Sequence, residues 1–165
     1  TADNGYLHGE HGLADKWYPF EESIRVPLII RDPRAPAAAR GAVRDEWALN
    51  VDLAPTLLAA AAVTAPAGMQ GADLAPLYLH AQPPAWREDF FYEHPTIRRV
   101  EFIPSSEALV TRTWKYVRWP DHGREQLFFL PADPREEHDL LAAGPPPAEL
   151  ASLRARFEHL RSQAP

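Results

Sequence analysis

Thr1-Ala2-Asp3-Asn4-Gly5, with Gly9-Glu10-His11-Gly12-Leu13-Ala14-Asp15-Lys16 close behind it, is the stretch on which the reading of this chain turns. Two interpretations of its opening compete. Asn4-Gly5 suits a tight turn, because Asn and Gly tolerate the positive φ angles that such turns need. Asp3 and Asn4 also offer a carboxylate and an amide carbonyl, the hard oxygen ligands that Ca²⁺ or Mg²⁺ prefers. Adjacent residues of a regular strand point to opposite faces, so both reach one ion only where the strand ends and the backbone bends, a freedom that Gly5 provides. Lys16 carries a compact ammonium that suits the doubly charged oxyanion a divalent cation would also bind; in isolation it is a surface lysine. His8 and His11 have a spacing that would serve a metal, although histidines in polar loops more often hydrogen-bond locally.

Outward from this stretch, Ser23-Ile24-Arg25-Val26-Pro27-Leu28-Ile29-Ile30 is β-branched and apolar, and reads as a strand with Pro27 at an edge or irregular position. Glu21 and Glu22 before it are expected to be solvated or paired with Arg25. Asp52, ahead of Leu53, Pro55, Leu57 and Leu58, predicts a capped helix over residues 53–62. Pro66, Gly68 and Gly71 then break the chain, and a short apolar turn over Leu74 to Leu79 leads to the Pro83-Pro84 linker. Beyond it come four short β-rich runs, Phe90 to Tyr92, Ala108 to Thr111, Trp114 to Trp119 and Gln126 to Leu130, spaced as an antiparallel meander. Leu150, Leu153, Phe157 and Leu160 recur at helical spacing and predict an amphipathic C-terminal helix packed on those strands.

A chain of 165 residues with 45% hydrophobic content can bury a real core. Its formal charge of -6, with arginines scattered among acids, argues against a nucleic-acid footprint. The absence of cysteine removes disulfides and thiolate metal sites from these residues and leaves the compartment open. No apolar run is long enough for a membrane span and no signal peptide is visible; a start on Thr1, without Met, reads as a cut inside an element. Two further clusters qualify as binding candidates. Tyr92-Glu93-His94 closes a strand where side chains can overhang a cleft, or is ordinary edge polarity. Trp114, Tyr116 and Trp119 alternate with Lys115 and Arg118, as in a sugar-stacking strand or a strand with one aromatic core face.

Taken in order, these segments resemble the C-terminal portion of the type I, formylglycine-dependent sulfatases of the alkaline-phosphatase-like superfamily. The likeness is carried by Thr1 to Gly5, Gly9 to Lys16, Tyr18 to Glu22 leading into Arg25 to Ile29, Asn50 to Leu58 and Gly68 to Leu74. Thr111 to Tyr116 and Gln126 to Glu136 match more loosely, with Phe129 where an acidic residue is usual. The resemblance implies an α/β fold: the end of a mixed sheet belonging to the main domain over residues 1–84, then a small antiparallel sheet with a C-terminal helix, an α+β subdomain, over 85–165. It implies Asp3 and Asn4 as ligands of a divalent cation, usually Ca²⁺, and Lys16 as the catalytic contact to sulfate; His8 and His94 are further substrate-binding candidates from their own local clusters, not from the resemblance. The implied substrate is a small-molecule or glycan sulfate ester. The nucleophile would be a formylglycine made within Cys/Ser-x-Pro-x-Arg, a motif that these residues lack, so the N-terminal half of the same protein is the expected partner, and this portion alone is expected to be inactive. A periplasmic or secreted location follows from the same likeness. A phosphate or phosphonate ester hydrolase of the superfamily, or a non-catalytic carbohydrate-binding module, are the alternatives.

Overall fold

In a computed structural model, residues 1–142 and 144–164 are described. The expected division into 1–84 and 85–165 follows the sequence; by contacts the chain groups as Thr1–Pro27 with Glu88–Pro165, and Leu28–Arg87 as a second unit. Each unit has its own logic.

In the first unit, β1 (Leu7–His8) and β2 (Ala14–Asp15) form a short antiparallel hairpin pairing Leu7 with Asp15 and His8 with Ala14. Gly9 takes φ 124°, a backbone that a side chain would resist, and lets the chain turn between them. A single helical turn, α1 (Glu21–Ile24), follows. The strand expected over residues 23–30 is therefore not formed: its first residues belong to α1, and residues 25–30 carry no regular structure. The reason is competition. Phe20 and Glu21 carbonyls accept bonds from Ser23, Ile24 and Arg25, and Pro27 has no N–H for a ladder.

The four-stranded meander is formed as its spacing suggests, from β3 (Asp89–His94), β4 (Ser106–Thr111), β5 (Trp114–Trp119) and β6 (Arg124–Phe129), neighbours in that order and antiparallel throughout. Helix α4 (Leu150–Arg161) covers one face. Leu150, Leu153 and Phe157 are buried there with Leu109, Tyr116 and Leu127, and Leu160 packs at the margin. Phe157 meets Phe91 and Tyr116 edge-on at 5.4 and 5.2 Å between ring centroids. Arginines on α4 reach acids that alternate along the same face: Arg156 to Asp89, Arg161 to Glu107 and Arg154 to Glu125.

The opposite face is buried as well, which corrects the expectation of one aromatic core face on β5. Trp119 lies there rather than beside Tyr116, and meets Tyr18 and Phe20. Lys115 lies on that side too, fully buried. Its ammonium donates to the Pro19 carbonyl and to Glu21 Oε1, each at 3.1 Å, and is ion-paired with the buried Glu136. Glu136 in turn accepts the Glu21 N–H at 3.1 Å. Asp133 folds the turn that delivers Glu136, accepting the Glu137 and His138 N–H groups at 3.0 and 2.9 Å.

In the second unit, α2 (Leu53–Ala60) and α3 (Ala75–Leu79) appear where the pattern places them. Asp52 does not cap α2 with its side chain. Its buried carboxylate instead accepts the Leu49 and Ala72 N–H groups at 2.7 and 2.8 Å, and pairs in two-pronged fashion with Arg87 at 2.6 and 2.8 Å. Several apolar side chains of this unit remain exposed, among them Ile29 at 86% and Leu57 at 70%. No helix among the described residues is long and apolar enough to cross a membrane.

Two stability predictions follow from the first unit. Phe157→Ala removes a wholly buried ring and should cost ~3 to 5 kcal/mol in denaturant unfolding; a loss under ~1 kcal/mol would show that α4 does not pack as described. Burial, outweighing attraction to Lys115 and helped by the like charge of Glu21, pushes the Glu136 carboxyl up from 4.5 to about 7. A carboxyl raised in the folded state contributes stability below its unfolded value that is lost as pH rises through the folded one, here between about pH 4.5 and 7. Burial depresses His94, which works in the opposite sense. The stability of the parent relative to Glu136→Gln should therefore fall across that window by about 1 to 3 kcal/mol; a flat or rising difference by thermal unfolding would sink the assignment.

Candidate functional site

On the sheet face opposite α4, the segment between β2 and α1 carries Lys16 and the segment before β1 carries Asp3. Lys16 Nζ donates to Asp3 Oδ2 at 3.3 Å, so the two are brought together across 13 positions of sequence. Asn4 follows Asp3 directly and is half-buried. The tight-turn interpretation of Asn4-Gly5 fails, because neither residue has positive φ. Gly5 is required for a different reason: its N–H donates to the Ser23 carbonyl at 2.9 Å, and a Cβ there would lie 1.8 Å from the Glu22 carbonyl oxygen. The loop bearing Asp3 and Asn4 is thereby seated directly on α1.

Lys16 is flanked by backbone that ordinary residues avoid, with Asp15 at φ 79° and Trp17 at φ 74°. Such angles persist only where the surroundings over-determine them. Here the Trp17 N–H donates to Ser23 Oγ at 3.0 Å, and Ser23 is 1% exposed. The Lys16 ammonium also stands 5.3 Å from the Trp17 ring centre, within cation–π range.

His94, at the end of β3, stacks on Trp17 with centroids 6.1 Å apart and so borders the same region. Burial lowers its basicity, against a backbone hydrogen bond with Pro95 that works the other way. A neutral imidazole there can donate from one nitrogen and accept at the other. His8 is placed differently: it is exposed, and its ring tilts against Tyr6 at 4.9 Å. Trp17 was not singled out by sequence reasoning; its position as an aromatic directly after the candidate lysine is the one signal that could have found it.

A second polar cluster lies nearby. His11 Nε2 is 3.4 Å from Glu22 Oε2, and ligand atoms of His11, Glu22 and Glu136 all lie within 4.8 Å of one another. Three such groups could hold a metal, but the Lys115 ammonium already supplies the positive charge at Glu136. His11 is stacked flat on Phe20, 3.8 Å between centroids, and serves the packing. Glu21, facing Lys115 at 3.1 Å and Arg25 at 4.0 Å, is likewise committed to structure.

The geometry therefore offers an exposed carboxylate beside a held ammonium, with the half-buried Asn4 next to that carboxylate in sequence, a pairing suited to one dianionic tetrahedral oxyanion flanked by cation and lysine. Comparison with known proteins identifies the family. Residues 9–163 match the family model described as N-sulphoglucosamine sulphohydrolase, C-terminal. The N-acetylglucosamine-6-O-sulfatase of Bacteroides thetaiotaomicron is 34% identical over 143 residues, covering 85% of this chain and 25% of that protein. An arylsulfatase of Clostridium perfringens is 32% identical over 142 residues, 86% of this chain and 28% of its own length. Among solved structures, BT4656 in complex with its substrate D-glucosamine-2-N,6-O-disulfate superimposes with a TM-score of 0.80 at 30% identity, over 97% of this chain and 32% of that one. The phosphonate monoester hydrolase of Agrobacterium radiobacter gives 0.77 at 25% identity, over 97% and 34%. This chain thus spans roughly a quarter to a third of the proteins it resembles, and on the strength of the family match over most of its length it belongs to the sulfatases, as a C-terminal portion of that family's alkaline-phosphatase-like fold.

Proposed function

We propose that these residues form the C-terminal part of an enzyme that hydrolyses sulfate esters of an amino sugar or glycan, with Lys16 as the contact to the sulfuryl group and Asp3 and Asn4 as ligands of a divalent cation, Ca²⁺ by preference. The observation that carries this reading is the Lys16–Asp3 approach at 3.3 Å, in a chain whose relatives are sulfatases. Asp3 and Asn4 fit a hard cation in kind, since both present oxygen and the Asp3 side chain is 82% exposed. They do not fit it in number: Ca²⁺ takes six to eight oxygens, so the remaining ligands belong to the remainder of the polypeptide. A bound cation would neutralise charge on the sulfuryl oxygens.

The chain's own part is electrostatic. The Lys16 ammonium meets the charge that grows as the S–O bond lengthens, where a held donor is worth most. His94, stacked on Trp17 and made less basic by burial, is the candidate to hydrogen-bond a sugar hydroxyl. His8, turned to Tyr6, would take part only at the periphery. The nucleophile, a formylglycine, is assigned to the remainder of the polypeptide, which would also cover the exposed Ile29, Val43 and Leu57. A periplasmic or secreted location goes with this reading.

Likeness to a phosphonate monoester hydrolase supports a second reading, cleavage of a phosphate or phosphonate ester, because the same residues suit either tetrahedral oxyanion. A carbohydrate-binding module has less support, since Trp119 is buried and Trp114 packs on Phe129, leaving no exposed aromatic platform on β5.

The test uses the complete polypeptide with N-acetylglucosamine 6-sulfate, an aryl sulfate and an aryl phosphonate. Sulfate release should depend on Ca²⁺, be abolished by chelator, and fall about 10²- to 10³-fold in kcat/KM on Lys16→Ala. Preferred cleavage of the phosphonate would transfer the assignment to the second reading. The 165 residues alone should show no turnover; activity there that vanishes in the Lys16→Ala control would refute the placement of the nucleophile elsewhere.

A further inference from the structure

Between the two loops that make up the candidate site stands one buried side chain, and it bonds them by different atoms. Ser23, 1% exposed at the middle of α1, accepts the Gly5 N–H at its carbonyl oxygen and the Trp17 N–H at its hydroxyl oxygen, at 2.9 and 3.0 Å. The first bond seats the loop of Asp3 and Asn4. The second holds the left-handed Trp17, and with it Lys16 one residue before. Because the carbonyl belongs to the backbone and the hydroxyl to the side chain, the two functions separate by substitution.

We propose that Ser23 is a positioning residue for Lys16, acting through the Trp17 amide, and that its hydroxyl has no part in seating the cation loop. This rests on the reading of Lys16 given above. The chemistry is economical: at φ 74° the Trp17 amide sits on backbone that other conformations undercut, and it donates to a hydroxyl that is shielded from water, 1% exposed in a helical turn. The start of that turn is fixed in turn by Lys115 and Glu136, which bond the Pro19 carbonyl, the Glu21 carboxylate and the Glu21 N–H. Without the Ser23 acceptor the segment can leave the left-handed region and carry the lysine away from Asp3. The face of Trp17, against which His94 stacks, goes with it.

The experiment compares Ser23→Ala and Ser23→Thr in the complete polypeptide. Lys16 is acylated with an amine-reactive ester and quantified by peptide mass mapping, and Ca²⁺ affinity is measured by calorimetry. Ser23→Ala should speed acylation of Lys16 roughly fivefold, the population change that loss of one ordinary hydrogen bond brings. Ca²⁺ affinity should stay within about twofold, since the Gly5 bond uses the unchanged carbonyl. Ser23→Thr keeps the hydroxyl and should restore the parent rate. If Ser23→Ala does not accumulate as folded protein, Ser23→Cys keeps the volume with a weak acceptor and should give the same change. Unchanged Lys16 acylation in the folded variant overturns the proposal, and so does an equal loss of Ca²⁺ affinity, which would make Ser23 a general packing residue. Sulfatase turnover read in parallel keeps the two ideas apart: a parent without turnover, but with Lys16 responding to Ser23→Ala, refutes the reaction and supports the clamp.

Discussion

The buried ammonium of Lys115 is the interaction on which the rest of the first unit depends. An ammonium has three protons to donate, and three acceptors meet it: the Pro19 carbonyl, the Glu21 carboxylate and Glu136. A buried ion pair of this kind is poor evidence of net stability, because taking both charges out of water costs several kcal/mol per ion. What it provides is location. Pro19 and Glu21 lie nearly a hundred positions before Lys115 in sequence, and the pair fixes where they cross the sheet. Helix α1 is too short to hold itself in place; its first N–H is held by Glu136 instead. From α1 the constraint passes to Gly5 and Trp17, and so to Asp3 and Lys16.

This route explains how a site can be rigid where there is little regular structure. The segment from Leu13 to Phe20 contains only two strand residues, and two of its residues have left-handed backbone. Each such residue costs on the order of 1 to 3 kcal/mol, and the cost is tolerated because Tyr18 and Phe20 are buried against Trp119 and Phe128 on the face away from α4. The two faces of the sheet thus have separate duties. One builds the core with α4, and the other anchors the loops that carry the candidate chemistry.

Much of this was legible in the sequence. Alternation and turn residues marked β3 to β6, and apolar spacing marked α4, because those elements bury one face against a regular neighbour. Ser23 to Ile30 misled: β-branched composition describes what a residue tolerates in a sheet, and a strand also needs partners. The double burial of β5 was hidden for a related reason. Lys115 looks like the polar side of an alternating strand, and contacts from Glu136 and from residues 94 to 96 positions away reveal that it faces a core. Asp3, Lys16 and His94 were named as candidates from residue type and family resemblance, whereas Trp17 and Ser23 act through a ring stack and a backbone amide, for which sequence carries no periodic signal.

The Lys16–Asp3 contact itself does not hold the site in shape. With the Asp3 side chain 82% exposed, water competes for both partners, and an exposed pair of this kind contributes little. The positions of both residues come from their backbones, through Gly5 on the Ser23 carbonyl and Trp17 on its hydroxyl. That division suits a residue proposed to bind a cation: the carboxylate can turn from the ammonium to a metal at small cost, while the loop carrying it stays seated on α1. It equally suits the lysine, whose ammonium becomes available to an incoming oxyanion without any movement of the segment that presents it. A site locked by a strong, buried Asp–Lys pair would have to break that pair before binding anything.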